Sequence, residues 1–443
     1  MVQRASFLSG LLAVTLSSSW LCHQGLAQSK VEAAVSHTQS KTTTASTVTP
    51  PVGPAASPSA AASKPLTGNA VHNDDGQKAL TASVDQIQKA EAAQLGKYRS
   101  GWTMYLQNPC HTGSTAAQAT LPQGHIGWTF PAEGPIDSSP AVFQGVVYVG
   151  SDDGNVYAVD EKMGSMLWHT KLGDKVKSSP AVSSGMIVVG CEDKKLYALD
   201  AKTGKILWHF ETGDRVSSSP VVLDGTVYVG SWDGFVYALQ ADTGTLKWKF
   251  QTDARITSAP AIAADMLVVT SHSGSAFCLN LADGAVRWQF KTGGKIYSTP
   301  LILGTLVYFG SWDKHFYAID LLTGKTKWKF DGVESFSISP IGMNGRVYIG
   351  NDDLKMYCLD AATGKMFWKQ GLNSPVPLLS SSPAICGERM YVGSSDSNIY
   401  ALDIRNGGIK WKYKTQRPII SSPAVTGKGV FIGSQDGNLY QLN

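Results

Sequence analysis

From residue 102 onward the apolar positions come in short alternating runs broken by Asp-Gly and Thr-Gly pairs, with no stretch of helical spacing. Residues 217–248 show the unit. Residues 219–223 form a short apolar run, Asp224-Gly225 a turn, and Thr226 to Gly230 an alternating second run. Asp233-Gly234 then leads into Phe235 to Leu239, and Thr243-Gly244 into Leu246 to Phe250. Glycine tolerates the positive φ that tight hairpin turns demand, so each pair marks a reversal of the chain. The pattern predicts four consecutive antiparallel strands.

The unit recurs. Prolines preceded by Ser-rich pairs stand at Pro140, Pro180, Pro220, Pro260, Pro300, Pro340, Pro383 and Pro423, a step of 40 residues everywhere except one step of 43. Tryptophans keep the same beat at Trp128, Trp168, Trp208, Trp248, Trp288, Trp328, Trp368 and Trp411. A fixed period in this range marks a propeller or a solenoid. Nested antiparallel hairpins within each repeat select the propeller blade over the parallel β-helix. Trp128 precedes the first marker proline, and no tryptophan follows Pro423 before Asn443. The strand around Trp128 is therefore expected to complete the last blade. The predicted fold class is all-β: an eight-bladed β-propeller of four-stranded antiparallel blades over residues 99–443, latched by both ends of the chain. Such closure removes exposed strand edges.

The recurring residues have structural roles in this reading. Each tryptophan from Trp168 on sits four residues after a turn glycine (Gly164, Gly204, Gly244, Gly284, Gly324, Gly364, Gly407), which places the same ring on each outer strand, between neighbouring blades. Asp153, Asp193, Asp233, Asp313, Asp353, Asp396 and Asp436 resemble a carboxylate array. They stand one per blade, too far apart around a ring to converge on one metal ion, and are expected to serve the turns.

Composition changes the picture mainly at the N-terminus. Arg4 and the mostly apolar stretch Phe7 to Leu21, followed by Gly25-Leu26-Ala27, read as a signal peptide over residues 1–27 with cleavage before Gln28. The stretch is short for a membrane span. A lipid-attachment site needs a small residue before Cys22, and Leu21 stands there. Residues 28–98 are rich in Ser, Thr, Ala and Pro and read as a disordered linker, with a short helix at 79–97. The chain is thus expected to be exported, to the periplasm, the cell envelope or the exterior. A net charge of +4 over 443 residues argues against bulk nucleic-acid binding, which usually needs a concentrated basic face. Cys110, Cys191, Cys278, Cys358 and Cys386 remain after cleavage, without a CxxC pair or zinc-ligand spacing, so no metal site is expected.

The run Ala198-Leu199-Asp200-Ala201-Lys202-Thr203-Gly204-Lys205 followed by Trp208 resembles the repeat of the pyrroloquinoline-quinone (PQQ) propellers, and Cys358 to Trp368 repeats it. Trp102 to Gly113 is similar to the lead-in found in many bacterial proteins of this class. The resemblance covers residues 100–443 and implies the propeller fold. Quinoprotein alcohol dehydrogenases of this family clamp the quinone with a disulfide of adjacent cysteines, hold calcium with acidic and amide groups, and use an aspartate base. This chain has no Cys-Cys pair and lacks long insertions between blades. It looks more like the non-catalytic members, such as the propeller lipoprotein of the outer-membrane barrel-assembly machinery, which use the disc as a binding platform. The resemblance therefore implies no catalytic residues and no cofactor. PQQ with calcium belongs to the alternative reading of a quinoprotein oxidoreductase, and a surface-anchored sensor or ligand-binding module is a second alternative.

One face carries a candidate contact surface. Five residues before the marker proline stand Lys175, Arg215, Arg255 and Lys295 on blades two to five. On the same face Trp232, His272 and Trp312 precede the turn aspartate, or Ser273 in its place, and Tyr297 stands beside Lys295. Aromatic rings beside cations suit a protein partner, an acidic peptide or an acidic glycan. The expected molecule is a monomeric, exported, non-catalytic protein-binding or scaffolding disc with no membrane span in the mature chain.

Overall fold

The computed structural model describes Asp85, Gln86, Lys89 and residues 101–115, 121–372 and 381–443. Residues 1–27, expected as a signal peptide, lie outside the described residues, as does nearly all of the span 28–98 expected as a linker. Within the span 79–97, the three described residues are helical.

The strands form eight antiparallel blades, seven of four strands and one of five. In blade 3 the order is Val221–Leu223, Thr226–Gly230, Phe235–Gln240 and Leu246–Gln251, from the axis outward. Asp224 and Gly225 both take positive φ, 45° and 74°, the twist a two-residue hairpin needs. Each turn aspartate holds its own turn: Asp233 accepts the Phe235 N–H at 2.9 Å on one oxygen and the Tyr237 hydroxyl at 2.7 Å on the other. Blade 4 lacks this aspartate, and Asp253 from the neighbouring loop takes its place, accepting from the hydroxyls of Ser271, Ser273 and Ser275. Partial burial raises the Asp253 pKa, but these donors together with Lys291 outweigh it and draw it down to about 2.

The ring closes with strand Ile126–Pro131, which pairs antiparallel with Asn438–Leu442 as the outer strand of blade 8. The same joint recurs at every seam. The Trp168 indole N–H donates to the Ala201 carbonyl of the next blade at 3.1 Å. Its ring rests on Gly204, where φ is +73° and a Cβ would lie 2.6 Å from the ring. At the closing seams Trp128 donates to Glu161 O at 3.1 Å and Trp411 to Pro122 O at 2.8 Å.

The Ser-Ser-Pro marker builds the axial wall. The first serine stitches the blade: Ser178 Oγ accepts the Gly190 N–H and donates to the Ser218 carbonyl of the next blade. The second forms a ladder around the axis. Ser139 N–H donates to Ser179 Oγ at 3.0 Å, and Ser179 N–H to Ser219 Oγ at 3.1 Å. The ladder breaks at Ala259, which has no hydroxyl, then runs from Ala259 N–H through Thr299, Ser339, Ser382 and Ser422 back to Ser139.

Inner strands present an open edge to the axis, and unpaired backbone groups there are costly. The lead-in at residues 101–115 covers that edge. Trp102 and Val142 exchange backbone hydrogen bonds at 2.7 and 2.8 Å. The N–H groups of Val182, Ile262, Ile302, Gly342 and Ile385 donate to Thr103, Pro109, Cys110, Thr112 and Gly113 respectively. Ser114–Thr115 then adds a parallel strand to blade 7. This strap thus touches the inner strands of six blades. Trp102, Met104, Leu106 and Cys110 along it are all buried. The five cysteines of the blades and strap are buried and free of disulfides.

Candidate functional site

On one face, the loop before each inner strand meets the turn between the second and third strands. The Trp232 N–H donates to Arg215 O, that of His272 to Arg255 O, and that of Trp312 to Lys295 O, at 2.9 to 3.0 Å. These backbone pairs hold cation and ring together. On blades 3 to 5 the result is a continuous ladder. Arg215 and Arg255 lie over the Trp232 ring at 5.4 and 4.7 Å from its centroid. Arg255 Nε donates to His272 Nδ1 at 2.7 Å. The His272 and Tyr297 ring centroids are 4.1 Å apart, and Tyr297 stacks on Trp312 at 4.6 Å. Lys295 closes the arc, 5.6 Å from the Trp312 centroid.

Arg255 has no proton-accepting nitrogen, so its hydrogen bond assigns the lone pair of His272 to Nδ1 and the proton to Nε2. That proton goes to Thr257 Oγ1, 2.7 Å away. Burial, then the Arg255 and Lys295 charges, push the His272 pKa down to about 3, which keeps the ring neutral. The indole N–H groups follow the same rule: Trp232 donates to Ser217 Oγ at 2.6 Å and Trp312 to Ser337 Oγ at 3.1 Å.

Lys175 stands apart from the ladder. It pairs with Asp152 at 3.0 Å. Beside it Lys177 lies 3.3 Å from Asp137 and 3.5 Å from Asp152, and Arg215 also reaches Glu192 at 3.6 Å. Burial is the largest influence on Asp137 and raises its pKa despite Lys177. The face therefore has a charge-paired sector on blades 1 and 2, and a cation–aromatic sector on blades 3 to 5. The acidic partners were not singled out in the sequence, although Asp152 and Glu192 occupy the same repeat position as Trp232.

Inside the rim an axial cavity of about 200 Å³ is lined by Lys177, Asp137, Tyr297 and the hydroxyl ladder. Its floor is Tyr105 of the strap, whose hydroxyl lies 2.9 Å from Ser382 Oγ and 3.3 Å from Ser339 Oγ. A second hollow of about 440 Å³ lies by the turns joining the first and second strands of blades 6 and 7. There Arg405 is already held by Asp403 and Glu388. Among the described residues no group of three or more His, Cys, Asp or Glu side chains is placed to hold a metal ion.

A family model described as outer membrane protein assembly factor BamB matches the chain over residues 113–258, 232–340 and 333–443. No curated protein sequence matches it. Among solved structures, BamB from Moraxella catarrhalis is similar at a TM-score of 0.64 and 19% identity, over 72% of this chain and 99% of that one. A europium-containing methanol dehydrogenase is similar at 0.67 and 17% identity, over 80% of this chain and 92% of that one. Quinohemoprotein alcohol dehydrogenase from Comamonas testosteroni is similar at 0.67 and 15% identity, over 82% of this chain and 83% of that one. At these identities the structural likenesses carry the fold and nothing finer.

Proposed function

The chain belongs to the family described as outer membrane protein assembly factor BamB, and from that membership we propose that it is an exported, non-catalytic propeller serving as a protein-binding platform in the cell envelope. The observation that carries the reading is the ladder from Arg215 to Lys295. Tryptophan and arginine are the residues most enriched among strong contact points at protein interfaces. Here they are half-buried and mutually braced, so little side-chain entropy is lost when a partner lands on them. No helix among the described residues is long and apolar enough to cross a membrane.

The cavity residues fit a quinone with calcium poorly. Small hydroxyls form the ladder where a tricyclic quinone would need planar walls, and Asp137 is engaged by Lys177 and Gln435. Incubation with PQQ and calcium is therefore expected to give no bound-cofactor absorbance and no dye-linked alcohol oxidation. Either signal revives the oxidoreductase reading.

The binding reading is tested with Trp232→Ala/Trp312→Ala. Cross-linked capture from an envelope fraction is expected to lose its specific partner bands by at least about ten-fold, with the thermal transition of the disc retained. Equal capture by the double variant sinks it.

A further inference from the structure

The axial cavity is lined by hydroxyls whose own protons are uncommitted. A serine or threonine hydroxyl carries one proton and two lone pairs. Ser139, Ser179, Ser219, Thr299 and Ser422 each accept a backbone N–H from the preceding blade. Among the described residues none of these five hydroxyls has an acceptor for its own proton, and each residue is more than nine-tenths buried. The rim adds two more. Ser217 accepts from Trp232 and Thr257 from His272, so their protons too are left over. The one carboxylate in the lining, Asp137, is already engaged by Lys177 and Gln435. Each of these seven hydroxyls thus keeps its own proton and one lone pair, and the Lys177 ammonium adds a cation to the same lining. At about 200 Å³ it greatly exceeds the ~10–15 Å³ that one water requires.

We propose that this cavity is a carboxylate receptor, taking the carboxylate of an acidic segment that lies across the rim of blades 3 to 5. The inference rests on the binding role proposed above and names the partner chemistry. A carboxylate is acceptor-only, so it takes the free protons, and its charge is drawn by the Lys177 ammonium and the cationic rim, an attraction that a neutral sugar lacks. It carries a single charge, which suits neutral hydroxyls and one already paired ammonium better than a phosphate dianion does. Arg255 and Lys295 have no carboxylate partner among the described residues and supply a positive approach on that side. The strap closes the floor, so the ligand is a tip presented from the rim and not a thread through the disc.

Acetate is the probe for the cavity alone. At constant ionic strength it is expected to raise the melting temperature saturably above a chloride control, since a ligand of the folded state stabilises by mass action. Ala259→Leu fills the cavity without removing a hydrogen bond and is expected to abolish the effect, whereas Trp232→Ala/Trp312→Ala keeps it. A glutamate-containing peptide is expected to bind at least about ten-fold tighter than its glutamine analogue, a difference lost in Ala259→Leu. A crystal structure in acetate is expected to show it on the axis within hydrogen-bond reach of Ser179 and Thr257. That measurement decides the matter if Ala259→Leu fails to fold. An acetate effect equal to chloride, stronger binding of inorganic phosphate, or water alone on the axis overturns the proposal. Loss of partner capture in the tryptophan variant alongside such a result leaves the platform standing without the receptor. A normal acetate response with unchanged capture does the reverse for the small-carboxylate site.

Discussion

A chain lacking residues 124–130 is expected to lose the cooperative unfolding transition of the whole disc, not merely one strand. The deletion removes most of the strand that pairs with Asn438–Leu442 and leaves that strand as a bare edge. It also removes Trp128, which hands its indole proton to Glu161 across the seam to blade 1, and the buried Phe130. Truncating one large buried aromatic costs about 3–5 kcal/mol. Losing buried Phe130 together with the half-buried Trp128 and the strand's backbone pairing takes a large share of the ~5–15 kcal/mol that separates an ordinary folded domain from its unfolded chain. A closed ring has no spare seam to absorb the loss, because every other blade already has both neighbours. Calorimetry and limited proteolysis check this, with Leu167→Ser on an exposed outer strand as the neutral control. A truncated chain that melts with the parent would mean that the two ends do not latch the ring.

The second large effect is expected at Trp102→Ala. This residue is 1% exposed and begins the strap by exchanging two backbone hydrogen bonds with Val142. Its ring packs in the core shared by blades 1, 7 and 8, with Val147, Tyr391 and Phe431. The cavity left behind is expected to cost about 3–5 kcal/mol. The strap also supplies acceptors to inner strands well beyond blade 1, so the loss spreads along it. Amide exchange is the discriminating measurement. The N–H groups of Val142 and Val182 should lose protection more than those of the outer strand Leu246–Gln251. Uniform loss of protection would make Trp102 an ordinary core residue and the strap a passenger.

Much of this architecture was legible in the chain because its signals are local. A blade is built from tight turns, and a tight turn is a matter of two or three residues. Asp224-Gly225 adopts two positive φ values because those residue types tolerate them. The tryptophan beat was equally readable, since six of the eight indoles reach a carbonyl 33 residues further on, as Trp168 reaches Ala201 and Trp208 reaches Ala241. The Ser-Ser pairs were visible only as punctuation before proline. Their work lies between blades, where Ser139 meets Ser179 and Ser422 meets Ser139, and a one-dimensional reading has no axis on which to place a ladder. The lead-in at Trp102 to Gly113 carried a family likeness, but nothing in its composition tells that Thr103 will face Val182 and Gly113 will face Ile385.

The candidate surface divides in the same way. The repeat register alone placed Arg215, Trp232, Arg255, His272, Tyr297, Trp312 and Lys295 on one rim, because equal offsets from the marker proline mean equal heights on the disc. Whether neighbours at equal height pair with carboxylates or stack on rings is decided by side-chain reach across a seam. Lys175 meets Asp152 of the blade before it, while Arg255 meets the Trp232 ring of the blade before it. The sequence by itself determined the blade, the number of blades and the offset closure, since these follow from turns, alternation and period. Tertiary structure alone decided the closed floor at Tyr105 and the uncommitted protons of the hydroxyl ladder. Those depend on atoms brought together from repeats 40 or more residues apart, and long-range geometry of that kind is made only when the ring shuts.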